Sequence, residues 1–235
     1  MRDYFVFAGK SSSDFNAFIY DANVFDSVER TVDTYDVPGR NGVLTVTGTE
    51  KFTNRNLEYE MYVPELMLSN VPALFGYLYS LSGYHRLEDT LEPDVFKKAM
   101  LTSSVELNVK TPNQAVFKLG FDCLPEKWLK SGEMKVAFTS SGTIHNPTLF
   151  NANPLIRVYG KGTLQIGSVS IEILKAPVSY IDIDADTQDC HEGSDNRNSY
   201  VTLTGGYPNL PAGDTGIVLG EGIKKVEITP RWWRI

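Results

Sequence analysis

The residues able to do chemistry are few, and they do not cluster. The histidines stand singly, at His85, His145 and His191, with no HxH or HExxH spacing that could grip a metal. Each reads as a loop or surface histidine. The stretch Asp182-Ile183-Asp184-Ala185-Asp186-Thr187-Gln188-Asp189-Cys190-His191-Glu192 is rich in the oxygen ligands that a hard cation takes. It departs from the EF-hand loop, because Thr187 stands where a tight turn needs glycine and Gly193 where the closing bidentate glutamate belongs. It reads instead as an exposed strand, Tyr180–Asp184, running into an Asp-rich turn. No GxSxG, Walker loop or strand-linked GxGxxG is present, and the glycine-bearing run Gly216–Gly222 reads as a hairpin. A hydrolase triad would need one of the three isolated histidines as its base. These residues predict no metal, no cofactor and no enzymatic activity.

Two groups suit binding better than catalysis. Val37-Pro38-Gly39-Arg40-Asn41-Gly42 joins two strand-like segments. Pro-Gly favours a type II turn and Asn-Gly a second tight turn. An arginine on so rigid a loop suits bidentate contact with a partner's carboxylate, which makes Pro38, Gly39, Arg40, Asn41 and Gly42 interface candidates. Near the C-terminus, Trp232 and Trp233 lie between Arg231 and Arg234 and could stack on a sugar or base. Strand alternation would send the two indoles to opposite faces, one to a core and one to an interface.

The elements that must carry these residues are mostly β. Short strand-like runs recur through the chain, from Tyr4–Ala8 to Lys224–Thr229, separated by turn residues. Several alternate apolar with polar, as in Val43-Leu44-Thr45-Val46-Thr47, and period-two alternation implies one packed face and one wet face. Many such strands indicate sandwiches or barrels. One principal helix is expected near 69–82: Ser69 can cap it, Pro72 suits its first turn, and Val71, Leu74, Phe75, Leu78 and Leu81 follow at helical steps. A second, short helix is expected at Leu91–Lys98, after Asp89. Polar, linker-like sequence near 140–150 divides the chain into residues 1–140, with helix and strands, and 146–235, with strands alone.

Composition narrows the class. The 235 residues are 42% hydrophobic and 11% aromatic, enough for a real core, and no run approaches the ~20 apolar residues that span a bilayer. No signal peptide is read at the N-terminus. With 22 basic against 29 acidic residues the net charge is −7, unsuited to gripping nucleic acid. Cys123 and Cys190 lie far apart and outside any CxxC, which suits synthesis in a reducing compartment and predicts no bond between them.

Several segments, taken in order, resemble the distal tail protein (Dit) family of siphovirus-type phage tails. They are the strand Phe15–Phe25, the turn Asp36–Gly42 with its Pro-Gly-Arg-x-Gly core, and the strand and helix across Phe52–Val63 and Ser69–Leu81. In the second half come Asn153–Gly160, Tyr180–Asp184, Gly206–Asp214 and Lys225–Trp233. The resemblance implies a mainly β protein with an N-terminal ring-forming domain and a C-terminal galectin-like β-sandwich. It implies a virion structural protein of the tail tip or baseplate, assembled in the host cytoplasm as a homo-hexameric ring. That ring would join the tail tube protein to the tail-associated tip protein and carry receptor-binding or baseplate proteins. DNA would pass through it without being bound, and no membrane would be involved. On this reading Pro38–Gly42 belong to the ring interface. Two other readings stay open: a carbohydrate-binding adhesion module stacking sugars on Trp232, Trp233 or Tyr207, and a β-rich hydrolase.

Overall fold

The structure, a computed structural model, describes residues 2–46, 51–64, 70–105, 107–111 and 114–235. It is mainly β, with one α-helix among the described residues, Asn70–Ser80. The chain forms two compact units, Met1–Lys127 with Ile235, and Trp128–Arg234. This division falls upstream of the polar stretch at 140–150. Val136-Ala137-Phe138, before that stretch, already pair with Ile228-Glu227-Val226 of the second unit, and the Leu129 amide donates to the Trp232 carbonyl at 2.9 Å.

The first unit is built on one antiparallel sheet. Its strands run in the order Lys10–Ser11, Phe5–Phe7, His85–Asp89, Val95–Leu101, Gln114–Leu129, Arg55–Val63 and Phe18–Ala22, and Asn108–Thr111 adds to Gln114–Leu129. The alternation along Arg55–Val63 is nearly strict: Arg55, Leu57, Tyr59, Met61 and Val63 are buried, and the residues between them are not. The helix lays Val71, Leu74 and Leu78 into this core, as its apolar spacing predicts. Ser69, the expected cap, lies outside the described residues.

The second helix expected at Leu91–Lys98 does not form; Val95–Leu101 is a strand. The helix-start signal has another cause. Asp89 Oδ1 accepts the amides of Leu91 and Glu92 at 3.0 and 2.9 Å, so it caps a tight turn between two strands. Val95 and Phe96 then favour the extended chain.

The second unit contains two antiparallel sheets. One runs Val136–Phe138, Ile223–Thr229, Leu155–Gly160, Ile181–Asp184, Asp189–Glu192, Asp195–Asn196; the other runs Gly142–Asn146, Gly213–Leu219, Gly162–Ile166, Val169–Ile173, Val201–Thr204. Their inward Ile, Val and Leu side chains share one core, the arrangement of a β-sandwich. The run Gly216–Gly222 is not a hairpin. Gly213–Leu219 and Ile223–Thr229 belong to different sheets, so the glycines carry the chain across a corner of the sandwich. A second crossing, Gly160–Gly162, meets it there. A Cβ on Gly222 would stand 2.1 Å from the Lys161 carbonyl oxygen, and Gly222 has φ +84°, so only glycine fits.

The expected exposed strand near Asp182 is buried instead: all four residues of Ile181–Asp184 are inside. Arginines make this possible. Arg157 grips Asp182 through two bonds of 2.7 Å, and Arg231 grips Asp184 through bonds of 2.6 and 2.8 Å.

Candidate functional site

Between Phe18–Ala22 and Arg55–Val63 the first unit sends out an arm. Its base is the pairing of Arg30–Thr31 with Lys51–Phe52, and its outer part pairs Thr34–Asp36 with Val43–Thr45. A further bond, from the Val46 amide to the Asp33 carbonyl at 2.9 Å, extends that outer ladder. Each ladder has only two strands. Two-stranded ribbons are marginal alone in water, and nothing else in the described chain covers this one.

The alternation in Val43-Leu44-Thr45 therefore does not mark a packed face. All three residues are exposed, Val43 at 58%, and across the ladder Tyr35 is exposed at 65%. Tyr35 and Leu44 pair across the ladder and share one face, and Val43 is on the other, so each face of the ribbon presents an apolar side chain to water. Thr47, the last residue of that sequence run, lies outside the described residues.

The tip of the arm is the Val37–Gly42 loop. The Arg40 amide donates to the Val37 carbonyl at 3.1 Å, and Gly39 has φ +82° in the third position of that turn. This is the type II geometry that Pro-Gly specifies. Pro38, Gly39, Arg40, Asn41 and Gly42 are all exposed. Among the described residues no carboxylate or carbonyl meets the Arg40 guanidinium. The five residues chosen from sequence thus sit together at the end of the arm. Sequence reasoning did not find Tyr35, Val43 and Leu44 beside them; the signal available was the pair of β-like runs flanking a rigid turn.

The C-terminal tryptophans are held within the second unit. Trp232 is 5% exposed and belongs to the core. Trp233 stacks on Phe150 at 4.4 Å between ring centroids and donates its Nε1–H to the Asn151 carbonyl at 2.9 Å. Tyr207 packs against the same core, where burial and the neighbouring Cys190 push its hydroxyl up to about 12.

The histidines serve local contacts. His85 Nε2 lies 3.0 Å from the Ser82 carbonyl, His145 Nδ1 lies 2.6 Å from Asp214, and His191 lies 3.8 Å from Asp182. Among the described residues no histidine bonds to a Ser, Thr or Cys side chain, and no group of three His, Cys, Asp or Glu could hold a metal ion. Both cysteines are buried free thiols, each pushed up to about 11 chiefly by burial.

No protein-family model and no curated protein matches the sequence. Solved structures do match. Over 100% of both chains the molecule is similar to the crystal structure of the phage SPP1 Dit (gp 19.1) protein, a hub of the adsorption apparatus in phages infecting Gram-positive hosts, with a TM-score of 0.75 at 12% identity. It is also similar to a chain of the phage p2 baseplate in its activated conformation with Ca, at TM-score 0.51 and 13% identity over 97% of each chain. The corresponding structure with Sr gives 0.52 and 13% over 100% of this chain and 98% of that one. The fold is that of the phage Dit hub.

Proposed function

We propose that the chain is a structural hub of a phage tail tip or baseplate, built as a hexameric ring. The observation that carries this reading is the likeness to the SPP1 Dit hub across the full length of both chains. The exposed arm supports self-association. Its apolar residues and its unpaired Arg40 suit the surface of a second copy, and such a contact repeated around an axis closes a ring. The first unit forms the ring in this account, and the second stands as a galectin-like module at its periphery.

The ring joins the tail tube protein to the tail-associated tip protein and carries receptor-binding or baseplate proteins. DNA passes through without being bound: an excess of 29 acidic over 22 basic residues repels a polyanion. Assembly takes place in the reducing host cytoplasm, which two buried free thiols suit. None of the described helices is long and apolar enough to cross a membrane. The lectin reading has less support, since the rings it would use, Trp232, Trp233 and Tyr207, are already engaged in packing.

Electron microscopy of virions labelled with antibody to this chain tests the role. Label confined to the distal end of the tail is expected. Label on the head, or intact virions that lack the chain, would refute it.

A further inference from the structure

The arm leaves the first unit through residues 23–29, and this root is held from inside the unit by two buried cations. Arg55 closes the buried stripe of its strand, where a hydrophobic side chain would be expected. Its Nη1 donates to the carbonyls of Val24 and Asp26, at 3.2 and 3.1 Å. From another strand, Lys127 Nζ donates to the same Val24 carbonyl at 2.8 Å. Arg55 is 6% exposed and Lys127 5%.

Burying two like charges side by side is costly, and here they are spent on backbone oxygens. Burial holds the Lys127 ammonium below its ordinary value, the Arg55 and Lys97 charges add to that, and Glu92 only partly offsets it. The Glu92 carboxylate lies 2.9 Å from Lys127 and 3.2 Å from Lys97, and Lys97 lies 2.7 Å from Asp89. Tyr59 completes the chain with a 2.9 Å bond to Asp89. A continuous buried network thus runs from the turn after His85–Asp89 to the carbonyls at the arm's root. Releasing the root would take away both carbonyls that Arg55 Nη1 bonds, and its buried Nε already has no partner among the described residues.

We propose that Arg55 and Lys127 are positioning residues, a clamp that grips the root of the arm by its carbonyl groups and fixes the direction in which the arm leaves the unit. The purpose of that fixed direction, presenting the arm to a second copy, rests on the hub reading above. A marginal two-stranded ribbon on a free root would sample many directions, and an interface formed from it would bear the cost of ordering it.

Amide hydrogen exchange tests the clamp. The reporters are the Asp26 amide, bonded to the Asn23 carbonyl at 3.1 Å, and the Thr53 amide, bonded to the Glu29 carbonyl at 3.0 Å. Tyr59 and Leu119, in the core strands, are the controls. Two variants are compared with the parent: Arg55→Met, and the charge-neutral Lys127→Met/Glu92→Gln, which leaves no carboxylate unpaired if the first fails to fold. Exchange at Asp26 and Thr53 should quicken by roughly tenfold or more while the controls hold. Lys127→Arg, which keeps the cation, should retain slow exchange. Unchanged exchange at the root, or equal quickening across the whole unit, would overturn the proposal. The readout does not depend on assembly: quickened root exchange in a chain that never associates supports the clamp and refutes the ring.

Discussion

Arg40 stands at the tip of a rigid loop with its guanidinium in water, while other arginines of this chain are tied to carboxylates or carbonyls. The contrast gives a sharp expectation. Arg40→Glu should leave the folding stability of the isolated chain within about 0.5 kcal/mol of the parent, because the side chain is exposed and bonds to none of the described residues. Association of copies should weaken by roughly 2–5 kcal/mol, the cost of reversing a charge that an interface buries. Calorimetry on dilute protein and sedimentation over a concentration series separate the two effects. Asp184 is the opposite case. Burial alone would raise its carboxyl, but Arg231 and the amides of Asp186 and Thr187 outweigh that and hold it below its ordinary 3.8. The stability this lends is full above pH 3.8 and is lost as pH falls through the depressed value. Acid unfolding of an Asp184→Asn variant, followed by circular dichroism, should accordingly show a flatter loss of stability below that pH than the parent. Residue types alone signalled Arg40, since Pro-Gly dictates its turn. They could not signal that Asp182 and Asp184 are inside, because their arginine partners are distant in sequence.

At the scale of elements, what was legible followed from period. The strands Arg55–Val63 and Val169–Ile173 and the helix bury the faces their alternation or helical spacing mark. The errors came where a local signal had a second meaning. Asp89 looked like a helix cap and caps a turn; the Gly216–Gly222 run looked like a hairpin and crosses between sheets. The alternation at Val43–Thr45 suggests one packed face, but it belongs to a two-stranded ribbon whose strand residues are exposed, with no layer against it among the described residues. That ribbon yields a prediction of its own. Replacing residues 32–46 by a short Gly-Ser turn removes two strands whose residues are exposed and none of the buried core, so the unfolding transition of the chain should stay within about 1 kcal/mol of the parent. Association should disappear. Chemical denaturation together with light scattering checks both halves; a variant that still assembles would move the interface elsewhere.

For the whole molecule, identity of 12–13% to the structures it matches leaves little to read residue by residue. The resemblance rested on the order of short segments along both halves, and most of them are strands or turns of this fold. The division of the chain was harder to read. A polar stretch marks low burial, but strands on either side of it belong to one sandwich, and pairing partners from the far end of the chain decided the boundary. The central claim, a chain that closes on copies of itself into a hub, is met most directly by native mass spectrometry of the full-length protein across a range of concentrations, alone and with its tail partners. The account predicts a discrete hexamer or a multiple of it. A strict monomer under every one of those conditions would contradict it.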